Sequence, residues 1–418
     1  MSRIAVIGAG ISGLASAWLL ARRHAVTLFE AAPRLGGHTN TVNVTLEGHT
    51  HPVDTGFLVY NDRTYPNLIR LFEQLGVASA PSDMSFSVRI GAGEVEWAGT
   101  NLAGVFAQPS NLVSPRFLRM LRDLVRFNRA ATRLAESGVH TAGSLGDFLD
   151  DGGYGPELRG LYLLPMAACI WSTPSRQVNR FPLQAFLDFS HNHGLLALNN
   201  RPQWRTVVGG GRDYVRRMAE SLPDVRTGVA VRQVRRDEAG VDVATDHGTE
   251  RFDQVVLATH TDQSLRLLEH PTAEERTVLR AIPYLPNRAV LHTDASVLPS
   301  RPRARAAWNF YAPSAEESDQ PVSLSYLLNK LQPLPFARPV MVTLNPAQAP
   351  RDEDTIADFA YDHPAFLEGS AEAQRRIPSL QGKRRTWFAG AWTRHGFHED
   401  GLLSALRVAQ GLGVEAPW

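Results

Sequence analysis

Ile4-Ala5-Val6-Ile7 is an unbroken apolar run of the length expected for a buried parallel strand, and it gives way at once to Gly8-Ala9-Gly10-Ile11-Ser12-Gly13. Past the glycines the apolar positions move to helical spacing. Leu14, Trp18 and Leu19 mark one face, Ala15 and Ala17 are strong helix formers, and the polar Arg22-Arg23-His24 ends the segment. Val26-Thr27-Leu28-Phe29 predicts a second strand with Glu30 at its carboxyl end. Much later, Val207 to Gly211 precedes a helical stretch from Asp213 to Ser221. Val229, Val231 and Val234 then alternate, Val241-Asp242-Val243 pairs back, and Phe252 to Thr259 predicts a buried strand.

Strand, glycine turn, helix and acidic residue in this order each have a physical task. Gly8 permits the tight turn, Gly10 lets the backbone approach a pyrophosphate, and Gly13 lets the helix pack closely on the strand. The helix amino terminus, at Ile11 and Ser12, offers unpaired N–H groups and a positive dipole end to phosphates. Glu30, 17 residues after Gly13 and followed by Ala31, is placed to accept hydrogen bonds from both ribose hydroxyls of an adenosine, and it would repel a 2′-phosphate. The unit is a dinucleotide-binding fold.

The segment Pro33-Arg34-Leu35-Gly36-Gly37-His38-Thr39 resembles the RxGG element of flavin amine oxidases, phytoene desaturases and related FAD enzymes. The resemblance implies FAD as cofactor, with Arg34, Gly36 and Gly37 at its pyrophosphate and His38 beside them; the planar guanidinium suits phosphate oxygens. Val53 to Phe57 is similar to the segment lying near the flavin ring, which brings in Thr55, Gly56 and Phe57. By the same resemblance Val231 meets the adenine through its backbone and Ala258 closes a strand against the cofactor. Thr386 to Trp392, followed by His398 to Ala405, looks like the family's final strand, loop and helix. Gly390 then allows close approach, and backbone N–H groups from Gly401 to Leu403, including Leu402, face the flavin. Many relatives carry an acidic residue where this chain has Ala391, and Glu399 or Asp400 supplies the missing polar contact.

The expected fold class is therefore α/β: a discontinuous Rossmann-type FAD-binding domain formed by 1–75, 201–275 and 376–418, with an α+β substrate domain from 76–200 and 276–375. Gly209-Gly210-Gly211 has the wrong spacing for a second dinucleotide turn, which argues against a separate NAD(P)H site.

Composition narrows the class further. With 43 basic and 42 acidic residues the net charge is +1, so nothing global points to nucleic acid. The single cysteine, Cys169, leaves no internal disulfide and no cysteine-based metal site, as fits a cytoplasmic protein. Leu161 to Trp171, interrupted by Pro165, falls short of the ~20 residues a membrane span needs.

Pro115 to Glu136 carries Arg116, Arg119, Arg122, Arg126, Arg129 and Arg133 at spacings of three and four, which puts them on one face of a helix. Two readings stand: peripheral contact with an anionic membrane, or a solvated face of a helix packed on its own domain. The apolar content of 161–171 and 181–189 likewise fits either a tunnel for a long apolar substrate or ordinary core.

Trp308 to Tyr311, Pro321 to Pro333, Tyr361 to Pro364 and Gly396 to Gly401 are similar to a bacterial branch of NAD/FAD-binding proteins associated with cyclopropane-fatty-acyl-phospholipid synthases. That resemblance implies dehydrogenation of a methyl-branched or otherwise modified acyl chain of a membrane phospholipid, with a functional link to a fatty acyl methyltransferase. His395, His398, Glu399, Lys330, Tyr326 and His363 are the candidate proton acceptors. Two alternatives remain: a flavin amine oxidase acting on a small amine, for which the sequence reveals no aromatic cage, and a non-catalytic flavoprotein partner of a lipid methyltransferase.

Overall fold

The computed structural model describes residues 1–418 apart from 140, 172, 173, 198–200, 317, 318 and 368. Five strands, β1 (Arg3–Ile7), β2 (Ala25–Glu30), β3 (Val225–Thr227), β4 (Gln254–Leu257) and β5 (Thr386–Phe388), form one parallel sheet in the order β3-β2-β1-β4-β5. Alternate residues of β1 serve opposite faces. Ile4 and Val6 join a core with Leu14 and Leu402, while Ala5 and Ile7 join one with Val255 and Ile377. A strand buried on both sides needs this continuous apolar run. Helix α1 (Ile11–Leu20) follows β1 directly, and α2 (His398–Gly411) packs along it, so the two ends of the chain meet beside the glycine turn.

The second layer is a seven-stranded sheet in the order 355–360, 288–292, 341–344, 323–327, 308–312, 86–90 and 95–98. All its pairs are antiparallel except Trp308–Ala312 with Phe86–Ile90. Helices between 115 and 192 pack with it in one large apolar core.

Several expected boundaries move. Phe252 does not begin the buried strand: it ends a third antiparallel strand, Gly248–Phe252, and the chain turns at Asp253 into β4. Ser79–Pro81, expected in the substrate domain, pairs with Trp204–Val207. The helix Ser370–Leu380 straddles the expected boundary, yet its Ala373, Ile377 and Leu380 pack in the core under β1 and β4, so this whole helix belongs with the cofactor sheet.

Pro115–Glu136 is a 22-residue helix started by Ser114, whose hydroxyl accepts the Phe117 N–H. It buries Phe117, Met120, Asp123, Phe127 and Ala131 and leaves all six arginines exposed. No helix among the described residues is long and apolar enough to cross a membrane.

Candidate active site and flavin cleft

A cavity of about 810 Å³ runs from the carboxyl ends of β1 and β2 into the space under the seven-stranded sheet. One arm is the glycine turn. Gly8 has φ +97°, and a Cβ there would stand 2.7 Å from the Ala258 carbonyl oxygen. A Cβ on Gly13 would lie 1.8 Å from the Gly8 oxygen, so this glycine packs the helix on the strand, while a Cβ on Gly10 would meet no protein atom within 4 Å. Gly10 thus faces open cleft, as does the amino terminus of α1, which no side chain caps. Glu30 lines the same arm. Its two oxygens accept the Ala9 and Ala32 N–H groups at 2.8 Å each, which fixes the carboxylate and leaves it further acceptor capacity.

Ile11, Ser12, Ala31, Gly36, Gly37, His38, Gly56, Phe57, Val231, Ala258, Gly390 and Ala391 also line the cavity. The Nε2 of His38 is buried there without a hydrogen-bond partner. An uncapped helix terminus, an open Gly10 and an orphaned imidazole nitrogen along one groove, with a carboxylate at its end, are the surroundings a dinucleotide requires. FAD fits this arm: Gly8 to Ser12 and Gly36 to His38 would hold its phosphates and Glu30 its ribose.

Other expected contacts do not reach the cavity. Arg34 points along its own loop, donating to the Gly37 oxygen at 2.8 Å, and so braces the turn instead of lining the cleft. The Thr55 hydroxyl is spent on the Asn40 oxygen and the Tyr361 hydroxyl, at 2.9 and 2.7 Å. Only His398 of the closing helix stands on the wall. Glu399 accepts the backbone N–H groups of Asn67 and Leu68 at 3.0 and 2.9 Å, capping the helix Pro66–Leu75. Asp400 accepts the N–H groups of His395 and Phe397 and caps α2 itself. Leu402 is fully buried between α1 and α2, and the Gly401 N–H is bonded to the Phe397 oxygen, so the stretch from 401 to 403 packs on α1 and does not line the cleft.

The proton-acceptor candidates separate in the same way. Lys330 lies outside the cavity, paired with Asp83 at 3.3 Å. Tyr326 lines it, edge-on to Trp308 with ring centroids 4.9 Å apart, and burial raises its pKa well above the ordinary phenol range. His398 stacks on Phe57 at 3.7 Å, and its Nε2 lies 2.6 Å from the Tyr214 hydroxyl. Burial pushes its pKa down to about 3, so the ring is neutral and a weak base. His363 is likewise pushed down to about 4 by burial, with His260 adding to the effect. His395 lines the cavity with its pKa lowered by burial, an effect the neighbouring Asp400 opposes.

The far arm of the cavity was not legible residue by residue. Phe189 sits at its centre: its ring lies 3.9 Å from His193, 4.9 Å from both Phe397 and Trp171, and 6.4 Å from His395. Trp204, Trp308, Met84 and Ile170 complete the wall. The aromatic surround absent from the sequence reading is therefore present. Phe189 and His193 are four residues apart at the end of an amphipathic helix, Leu183–Asn192, and that spacing was the available signal. Among the described residues, the carboxylates on the cavity wall are Glu30 and Asp362, with Arg232 and Arg266 as the guanidinium groups. Glu30 borders the glycine turn, and Asp362 adjoins His363, whose ring lies 5.4 Å from His38. Arg266 acts on His260, whose ring lies 6.3 Å from His38, and Arg232 adjoins Val231, so all four stand on the side of the cavity that holds the glycine turn and His38.

A parallel sheet of order 3-2-1-4-5 with a phosphate-ready glycine turn, opening into an aromatic chamber, defines a dinucleotide-binding protein. The family model for flavin-containing amine oxidoreductases matches residues 11–335, and the chain belongs to that family. Its cofactor is FAD, and it is an FAD-dependent oxidoreductase. A carotenoid phi-ring synthase from Streptomyces griseus is 31% identical over 289 residues, 63% of this chain and 53% of that protein, so the match spans about half the relative's length. Among solved structures, a CLA-producing fatty acid isomerase from P. acnes superposes with a TM-score of 0.70 at 15% identity over 98% of both chains. Putrescine oxidase bound to putrescine gives 0.69 at 17% identity, again over 98% of both. These likenesses show the shared fold.

Proposed function

We propose that this flavoenzyme dehydrogenates a long, uncharged apolar chain, such as a methyl-branched or otherwise modified acyl chain of a phospholipid. The observation that carries the reading is the far arm of the cavity: among the described residues it presents aromatic and aliphatic side chains and two neutral histidines, and neither a carboxylate nor a guanidinium. An ammonium ion would lose its hydration there with no carboxylate on the wall to pair with directly, whereas a hydrocarbon gains from leaving water. The sequence relative is named for a carotenoid, also a long apolar molecule.

FAD held by Gly8 to Ser12, Gly36 to His38 and Glu30 would supply the two-electron acceptor for the hydride that leaves one carbon. The adjacent carbon releases its hydrogen as a proton when the double bond forms, and in this reading His395, on the cavity wall, takes it. Its ring is uncharged at neutral pH, and Asp400 alongside stabilises the imidazolium that results. The aromatic walls exclude water and hold the chain extended.

The test is anaerobic addition of micellar methyl-branched phospholipid to the FAD-loaded protein, followed by flavin absorbance. Bleaching is expected. No bleaching with that lipid or its free acid, together with bleaching by a small primary amine, would establish the amine oxidase reading instead, which the Phe189, His193 and Phe397 rings favour. Silence with every compound would leave a non-catalytic partner of a methyltransferase. His395→Ala should lower turnover by roughly 10²- to 10⁴-fold at unchanged flavin content. Because the unprotonated ring is the active form and its pKa is lowered, wild-type turnover should fall only below the ordinary histidine range.

A further inference from the structure

Ten large hydrophobic side chains are exposed among the described residues, and six of them fall between residues 102 and 139: Leu102, Leu112, Val113, Leu118, Val125 and Val139. Val113 is 79% and Leu102 77% exposed. Solitary exposed apolar residues need no explanation, but a concentration on one stretch of chain does. Leu118 and Val125 stand seven residues apart on the Pro115–Glu136 helix, two turns along one face, opposite the buried Phe127. Arg122 and Arg129 follow each of them by four residues and share that face.

The charges on this face are only partly satisfied. Arg119 is paired with Glu157 at 2.7 Å, and Arg122 and Arg126 share the buried Asp123 at 3.2 and 2.9 Å. Among the described residues, Arg129 and Arg133 have no carboxylate within ion-pair distance, and Arg116 has only a longer-range attraction to Glu157. Exposed leucine and valine interleaved with unpaired arginines match the boundary layer of a bilayer, where apolar side chains enter the acyl region and guanidinium groups meet phosphates above it.

We infer that the surface formed by Leu112, Val113 and the Leu118–Arg133 face of this helix docks on an anionic phospholipid membrane. The surface is one layer from the far arm of the cavity. Phe127, on the buried side of the helix, lies 6.2 Å from Phe186, which lies 6.1 Å from Trp171 on the cavity wall. The inference rests on the acyl-chain reading for its purpose, since a membrane-bound enzyme meets its substrate where the substrate resides.

The test is flotation of the FAD-loaded protein with vesicles of unmodified saturated phosphatidylglycerol and phosphatidylcholine, against vesicles of phosphatidylcholine alone. These lipids carry no methyl branch, so flotation reads the surface and not turnover. The protein should float with the anionic vesicles and dissociate at about 1 M salt, where the Debye length is ~3 Å. The Arg122→Gln, Arg129→Gln double variant should bind roughly thirtyfold more weakly, and Val113→Ser, Leu118→Ser should also lose binding, each with unchanged flavin content and circular dichroism. Absence of flotation at low salt, or equal flotation of the wild type and the arginine variant, would overturn the inference. So would binding confined to a methyltransferase in the absence of lipid. If micellar substrate bleaches the flavin while no vesicle floats the protein, only the docking surface is wrong; flotation without bleaching refutes the substrate class alone.

Discussion

The Nε2 of His398 lies 2.6 Å from the Tyr214 hydroxyl, which lies 2.6 Å from the Thr39 hydroxyl. Three distant stretches are thereby joined by one buried oxygen: the loop after the glycine pair, the helix after Gly211 and the first turn of α2. Tyr214→Phe removes that oxygen and leaves a buried imidazole nitrogen and a hydroxyl with weakened partners. A loss of about 1–3 kcal/mol in urea unfolding is expected, with lower flavin retention on dialysis. Unchanged stability would show that the contact carries no weight.

Gly10 and Gly13 should fail differently. A methyl at Gly13 collides with the Gly8 carbonyl oxygen, so Gly13→Ala should destabilise the fold itself. A methyl at Gly10 meets only the open cleft, so Gly10→Ala should fold with near-wild-type circular dichroism yet lose flavin, read as the ratio of visible to ultraviolet absorbance. Full flavin loading in Gly10→Ala would move the pyrophosphate elsewhere.

Asp54 sets a pH dependence of stability. Burial raises its pKa from 3.8 to about 6, although Thr41 and the Gly211 N–H both bond its carboxylate. A carboxyl group whose pKa is higher in the folded state contributes stability that is complete below the unfolded value and is lost as pH rises through the folded one. Between pH 3.8 and about 6 this group should therefore cost about 3 kcal/mol. Asp54→Asn should flatten that segment of the stability profile in chemical denaturation, and an unaltered slope would reject the assignment.

Glu399 should prove structural. Glu399→Ala strips two backbone N–H groups at the start of Pro66–Leu75 of their acceptor, for an expected loss of about 1–2 kcal/mol. Turnover per bound flavin should be unchanged; a large fall would return Glu399 to the chemistry.

The cofactor arm was legible because its determinants are local. A strand, three glycines and a carboxylate act through backbone geometry within thirty residues, as the Gly8 and Gly13 contacts show. The reading failed where a side chain's task depends on a distant partner. Nothing near Glu399 announces that Asn67 and Leu68 will be its donors, and nothing near Lys330 announces Asp83. For Arg34 the structure adds a partner within its own turn, the Gly37 carbonyl oxygen. In the aromatic chamber, Trp171 and Phe186 share one apolar core, but only Trp171 reaches the cavity wall, and no local pattern separates the two.

The edge strand β5, Thr386–Phe388, pairs with β4, and His398 follows it onto the cleft wall beside the turn at residues 8 to 12. The nascent polypeptide can thus form β1, α1 and β2 long before it can enclose its prosthetic group, because His398 lies almost four hundred residues beyond β1. Such non-local closure is slow and exposes apolar surface in the interval. Flavin supply during synthesis should accordingly govern soluble yield, because the cofactor bridges segments that the chain itself brings together last.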